Sequence, residues 1–359
     1  MKIKEKIKEI LKKCSRVSMD DKLFFIQQIG IMVKTGISLS VALQTLAEQT
    51  SSRKFKMILE DLKKEVEKGN MLSQGMEKYP KIFGELFVNM IKSGEASGKL
   101  EEILQQLYVQ LKKDHDLIGK VRGAMIYPSV VVCAMAGVCA FVIIYVIPNL
   151  TQIFKEINAP LPLATRMLIG LSDFVVSYGI IVLIILAVAA GSLIKFIRAP
   201  RGKKIWHQFL LNIPIMGEII KKINLARFCR TLSSLLKTDI DVVKSFEITS
   251  GVVGNYLFKK ALLDAKDKIK KGFGIKNSLE PYKKLYPPVV LQMINVGEET
   301  GTLDEILQEA ATFYEDDIDR TMTNLPSIIE PVLIVVLGVG VAAMAVAIIM
   351  PMYSLSQSI

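Results

Sequence analysis

Residues 94–104 read GEASGKLEEIL, and residues 297–307 read GEETGTLDEIL, with the same spacing of glycine, glutamate and leucine 203 positions further on. Working outward from this pair, the register holds. Phe25 falls on Phe228, Lys34-Thr35 on Lys237-Thr238, Ile37 on Ile240 and Gly69 on Gly272. Toward the C-terminus Asp114 and Asp116 meet Asp317 and Asp319, Pro128 meets Pro331 and Pro148 meets Pro351. A single register kept across glycines and prolines marks a duplication, because these residues serve backbone conformations that others rarely satisfy. Where the first copy has Gly36 the second has Asp239, which still reaches a left-handed turn at some cost.

Within each copy the apolar residues recur at three and four, as at Leu100, Ile103, Leu104, Leu107 and Leu111. That is the period of a helix with one buried face. Gly36, Gly69 and Gly94 read as helix stops. Ser97 or Thr300 reads as the cap of the next helix, with Glu101-Glu102 or Asp304-Glu305 in its first turn. Strand patterns are nearly absent, so the fold class is all-α, each copy a bundle of about six helices.

The chain is 51% hydrophobic and only 23% charged, more apolar than soluble cores require. The excess lies in three blocks without a charged residue: Ala124 to Pro148, Phe174 to Ile194, and Pro331 to the end. Each supplies roughly 20 apolar residues, enough helix to cross about 30 Å of hydrocarbon. The expectation is a polytopic membrane protein with three transmembrane helices, which excludes a soluble or secreted enzyme and a disordered chain. In order, it has a basic amphipathic N-terminal helix (1–19), a first helical bundle (20–123), a span (124–148), a short external loop (149–173) and a second span (174–194). A basic linker and second bundle (195–326), a third span (327–352) and an external tail (353–359) complete it. The two prolines of each copy bracket its span. The middle span has no counterpart in the repeat and returns the chain so that both copies enter the membrane in the same sense.

Residues 1–123 hold 23 Lys/Arg against 16 Asp/Glu and residues 195–326 hold 21 against 16, whereas 149–173 has two of each. Positive flanks mark the cytoplasmic side. Both bundles are therefore expected in the cytosol, with the N-terminus cytoplasmic and the C-terminus external to the cell membrane. The net charge of +11 fits this rule and contact with anionic membrane lipid. No nucleic-acid partner is expected, since no helix-turn-helix or aromatic-basic platform accompanies the charge. Met1 to Ser18 carries seven Lys/Arg without an uninterrupted apolar core, so it is not read as a signal peptide. Its Ile3, Ile7, Ile10, Leu11 and Cys14 share a helical face that either lies on lipid or docks on its own domain. Cys14, Cys133, Cys139 and Cys229 make no disulfide framework.

Catalytic patterns fail one by one. A phosphate-binding loop needs four residues between its glycines, then lysine and a hydroxyl residue. Gly94 to Leu100 has three, with leucine in the hydroxyl position, and the copy at Gly297 to Leu303 lacks the lysine. His115 and His207 occupy non-equivalent places and read as surface or interfacial residues. Glu315, Asp316, Asp317 and Asp319, with Asp114 and Asp116 as first-copy counterparts, read as a solvated acidic face, a divalent cation being the alternative. Glu330, beside Pro331, is a carboxylate at the edge of lipid that either makes a buried polar contact or reaches the interface. No catalytic, cofactor or metal residues are assigned, and the chain is read as a non-enzyme. A small transporter would need polar groups along its spans, which are lacking, and a passive membrane scaffold is the remaining alternative.

Two copies carrying Gly-Glu-x-x-Gly-x-Leu, each followed by a span with prolines 20 residues apart, and an extra span after the first, resemble the type II secretion F (PilC/GspF-like) family. These are inner-membrane platform proteins of type IV pilus and type II secretion machines. The resemblance implies a platform that takes pilin or pseudopilin subunits from the bilayer into a fibre. The partners it implies are a hexameric cytosolic secretion ATPase, other inner-membrane assembly proteins and further copies of the chain. The motif positions carried over are Gly94, Glu95, Gly98 and Leu100, with Gly297, Glu298, Gly301 and Leu303. Pro128, Pro148, Glu330, Pro331 and Pro351 are the accompanying span positions. About 20 residues precede the first copy, fewer than many family members carry, which leaves pilus, secretion and competence machines all open. Small residues in the spans, Gly338 with Ala342 and Ala134, Gly137 and Ala140, are compatible with close helix packing in an oligomer.

Overall fold

The computed structural model describes residues 17–149, 151 and 163–356. The expected amphipathic segment at Ile3 to Cys14, residues 150 and 152–162 of the expected 149–173 loop, and residues 357–359 lie outside the described residues, while 163–173, expected as loop, are helical. Among the described residues all regular structure is helical. The first copy comprises α1 (Met19–Lys34), α2 (Leu39–Gln49), α3 (Arg53–Glu67), α4 (Leu72–Glu77), α5 (Glu85–Ser97) and α6 (Leu100–Phe141). Next come α7 (Leu163–Arg198) and α8 (Pro200–Asn212). The second copy comprises α9 (Met216–Leu236), α10 (Val242–Val252), α11 (Tyr256–Ile269), α12 (Ile275–Leu279), α13 (Pro288–Thr300) and α14 (Leu303–Ser356).

The duplication repeats the devices that start and stop helices. Ser38 caps α2 and Asp241, its counterpart, caps α10; Ser52 caps α3 and Asn255 caps α11. Each supplies a side-chain oxygen to N–H groups that the helix itself cannot satisfy. At the other end, Gly36 has φ +77° and Asp239 has φ +57°, so the left-handed turn survives the change of residue. In both, the amide after the turn reaches back to the last helical turn: Ile37 N–H to Met32 O at 2.9 Å and Ile240 N–H to Leu235 O at 3.3 Å.

The described residues fall into two compact units, one within Met1–Ile118 and His207–Ile318, the other within Gly119–Trp206 and Asp319–Ile359. The first holds both bundles. Each bundle is centred on three aromatic rings in the repeat register, Phe25, Phe55 and Phe83 in one and Phe228, Phe258 and Tyr286 in the other. Phe25 meets Phe55 edge-on at 5.6 Å, and Phe228 meets Tyr286 edge-on at 5.1 Å. Between the bundles lies α9, from Asn224 to Leu235 buried on nearly every side. Leu235 joins the first copy's core, Ser233 Oγ donates to Asp304 O of its own copy at 2.7 Å, and further hydrogen bonds cross to the first copy. Gln110 Nε2 donates to Thr231 Oγ1 at 3.0 Å, Gln106 Nε2 to Ser234 O at 3.2 Å, and Ser93 Oγ to Thr238 O at 2.8 Å.

The second unit is apolar and exposed. Two helical stretches are long and apolar enough to cross a membrane, Leu100–Asn149 and Leu303–Ala342, and only 6% of the most apolar window of each is buried. Val130, Val138, Phe141, Val335 and Val339 are among the side chains left outward. In α7 the apolar stretch is Ala187–Ile197. Apolar surface on this scale lacks a covering layer of protein. Near the end of the first stretch the helix opens into a π turn, Val142–Val146, with Ile147 N–H bonded five residues back to Val142 O. In that register Ile143 O would be served by residue 148, which is proline and has no N–H. The Ser172 hydroxyl of α7 donates to Ile143 O instead, at 2.5 Å.

Candidate functional site

The repeated motif forms a helical hairpin in each copy, and every position has a physical job. Gly94 and Gly297 lie inside α5 and α13, not at their ends, which corrects the reading of Gly94 as a stop. They are buried where two helices pass closely. A Cβ on Gly94 would come within 2.9 Å of Ile103 Cγ1, and one on Gly297 within 2.8 Å of Leu303 Cα. The stop comes four residues later, at Gly98 with φ +70° and Gly301 with φ +72°. Ser97 and Thr300 are the last residues of α5 and α13 and do not cap the helices after them. Their hydroxyls donate back to Ser93 O and Val296 O within their own helices and so are not offered to the helices that follow. The cap positions are Lys99 and Thr302, whose carbonyls take the first bonds of α6 and α14 from Ile103 and Ile306. Leu100 and Leu303 then open the two long helices.

Glu95 and Glu298 reach across to helices that start 23 residues earlier. Glu95 accepts the backbone N–H of Leu72 at 2.5 Å and of Ser73 at 3.1 Å, together with the Ser73 hydroxyl at 2.5 Å. Glu298 accepts the N–H of Ile275 at 2.9 Å and of Lys276 at 3.5 Å. Each carboxylate thus closes the N-terminus of a short helix, α4 or α12, that has no side-chain cap of its own. Residues 94–97 are helical, so their amides serve the helix ladder and form no phosphate cradle.

Asp116 and Asp316 are exposed, as a solvated face requires, but Asp114, Glu315, Asp317 and Asp319 are paired with cations. Arg230, buried in α9, bonds Glu315 Oε1 through Nη1 at 2.5 Å and lies 3.9 Å from Asp114. Arg227 Nε meets Asp114 Oδ1 at 2.6 Å, Lys222 meets Asp317 at 3.0 Å, and Lys113 reaches Glu315 Oε2 at 2.9 Å. Lys120 pairs with Asp319. A solvated face was expected from these acids alone. Of the cations that take them, Lys113 and Lys120 lie on α6, whereas Lys222, Arg227 and Arg230 lie on α9 and have no first-copy equivalents in the repeat register. The available signal was Arg230, a charge set within the apolar pattern of α9. Beside it, a groove of about 590 Å³ carries Glu101, Glu102 and Lys237 as well as Lys113, a mixture that favours no single ligand charge.

The remaining predicted positions are scattered. Pro128 and Pro331 lie within continuous helices, Pro148 follows the π turn, and Glu330 is exposed on α14. The histidines serve local contacts: His115 lies 3.5 Å from Asp20, and His207 Nδ1 accepts the N–H of Tyr256 at 2.8 Å. Among the described residues no group of three or more His, Cys, Asp or Glu could hold a metal ion.

Comparison with known proteins matches residues 25–148 and again 228–351 to the family model for type II secretion system protein F, two matches offset by the register of the duplication. The type IV pilus assembly protein PilC of Thermus thermophilus is 35% identical, over 94% of this chain and 83% of the relative. PilC of Pseudomonas aeruginosa is 30% identical over 99% and 96%. The type II secretion system protein F of Vibrio cholerae is 29% identical over 95% and 84%.

Proposed function

The chain belongs to the type II secretion system protein F family, and on that premise we propose that it is the inner-membrane platform on which a type IV pilus or type II secretion pseudopilus is assembled. The observation that carries this is the double family match, each copy presenting the same hairpin at the root of a long apolar helix. In this reading three spans, the apolar parts of α6, α7 and α14, thread the bilayer and leave both bundles in the cytosol. Each copy contributes about six helices. The N-terminus is cytoplasmic and the C-terminus external, as the charge asymmetry requires.

The platform is not itself an engine. A hexameric secretion ATPase grips the cytosolic bundles, and α6 and α14, each one unbroken helix from the hairpin into its apolar stretch, pass the motion to pilin or pseudopilin subunits in the bilayer. Other inner-membrane assembly proteins complete the machine. Small residues on the outer faces of the spans, Gly137 and Gly338 with no atom within 4 Å of an added Cβ, leave room for a second copy of the chain.

The test is genetic and topological. Deleting the gene should abolish fibres or secretion, and this chain supplied in trans should restore them; normal fibres in the deletion strain would refute the platform reading. A periplasm-dependent phosphatase fused after Ile359 should be active and a cytosol-dependent fluorescent protein at the same place dark. The reverse pattern would refute the topology.

A further inference from the structure

An amphipathic helix in a globular body turns its apolar stripe inward. Helix α8 does the reverse. Its His207 side meets the second bundle: Tyr256 N–H, at the start of α11, donates to His207 Nδ1 at 2.8 Å, and Leu211, one turn on, is buried. On the other side Ile205 and Phe209, four residues apart and hence on one face, are 59% and 55% exposed. Ile215, just past the helix, is also exposed. Lys203 and Lys204, near the start of the helix, are exposed.

The helix follows the apolar stretch of α7 with almost no connector. Ala199 N–H bonds Lys195 O, Lys203 N–H bonds Ala199 O, and a Cβ on Gly202 would come within 1.9 Å of Phe196 O. The turn is thus tight enough to require glycine there. An outward apolar face, exposed lysines on the rest of the helix surface and direct continuity with an apolar helix are the attributes of a segment lying in a headgroup layer.

We propose that α8 is an in-plane membrane anchor, its Ile205 and Phe209 face seated in the interfacial region of the cytoplasmic leaflet and Lys203 and Lys204 held by anionic lipid phosphates. This rests on the membrane reading of α7 given above. The two exposed lysines, directly after an apolar helix, select an anionic bilayer surface as the occupant over an apolar protein partner.

The chain carries one tryptophan, Trp206, within α8, which makes the test direct. The full chain is reconstituted into phosphatidylcholine vesicles containing phosphatidylglycerol, with acyl chains brominated near their carboxyl ends. A Trp206→Phe/Phe209→Trp variant moves the reporter onto the outer face. Its emission should fall by about half or more with brominated lipid and respond little to aqueous iodide. Adding Lys203→Glu and Lys204→Glu should restore most of the lost emission. Quenching by iodide alone, or by neither agent, overturns the anchor, the latter indicating that protein covers the face. Quenching unchanged by the charge reversals overturns the role given to anionic lipid. Alkaline carbonate extraction separates the two levels: a chain that stays in the vesicles with a bromine-silent tryptophan sinks the anchor alone, whereas an extracted chain sinks the membrane reading too.

Discussion

Replacing Gly297 by alanine sets two effects of opposite sign against each other. Gly297 lies inside α13, and alanine is the better helix former by about 1 kcal/mol. Were close approach unimportant, Gly297→Ala would stabilise the protein. The added Cβ, however, would lie 2.8 Å from Leu303 Cα, 3.2 Å from Leu303 Cδ1 and 3.4 Å from Ile306 Cβ. The nearest of these is a backbone atom at the start of α14 and cannot rotate away. Relief requires the two helices to part. Overpacking of this kind costs about 1–3 kcal/mol, and a backbone contact belongs at the upper end, so the expected net loss is about 2 kcal/mol. Gly301→Ala is the contrast. No atom lies within 4 Å of its Cβ, but φ is +72°, and the cost is about 1 kcal/mol of backbone strain. Both are measured by pulse proteolysis of the detergent-solubilised full chain in rising urea, read as the midpoint of the cleaved fraction. The expected order of stability is wild type, Gly301→Ala, Gly297→Ala. A Gly297→Ala protein as resistant as wild type would show that the glycine is not there for helix approach.

Tyr286→Phe should stabilise by about 1 kcal/mol, because the Tyr286 hydroxyl is buried without a hydrogen-bond partner and the first copy holds Phe83 at the same place; a lowered urea midpoint would refute this. The Glu65 carboxyl is held at about 2 by Lys68, Lys78 and Asn70, below its ordinary 4.5. A lowered folded value contributes stability above the unfolded value that is lost as pH falls from about 4.5 toward 2. The difference in thermal midpoint between wild type and Glu65→Gln should accordingly be constant above pH 5 and close below it, where a flat difference would count against the pairing. Ser172→Ala should cost about 1 kcal/mol by leaving Ile143 O without its donor, measured by unfolding in mixed detergent micelles, and an unchanged midpoint would place water or another group there.

The duplication and the helical class were legible because glycine, proline and the three-four apolar period leave marks that survive divergence. Roles within the motif were less so. Gly94 and Gly98 look alike on paper, yet one is needed for its missing Cβ and the other for its positive φ, and only the path of the neighbouring helix separates them. Glu95 caps α4 across 22 intervening residues, a partnership that no local pattern encodes. Helix caps recur in register but change type, from Ser38 to Asp241 and from Ser52 to Asn255, so a comparison seeking identity misses them. Phe83 and Tyr286 escaped for the same reason, one ring answering another.

Helix α9 raises the question of why a duplicated bundle buries serine, threonine and arginine where leucine would also exclude water. An apolar seam would hold the copies at many nearly equal registers, since apolar contact is not directional. Hydrogen bonds are directional, and a misplaced one leaves a buried group unsatisfied at about 1–3 kcal/mol. Ser93 to Thr238 O, Gln110 to Thr231 and Gln106 to Ser234 O therefore narrow the seam to one register. The charged pairs extend this selection along the roots of the long helices: Arg227 binds Asp114 of α6, and Arg230 binds Glu315 of α14. One helix thereby pins the N-terminal parts of both. A buried ion pair adds little net stability, but removing one partner strands the other, so slippage between the copies is resisted more strongly than the strength of any single pair suggests. The two copies of the motif are consequently tied into one body along the N-terminal parts of α6 and α14.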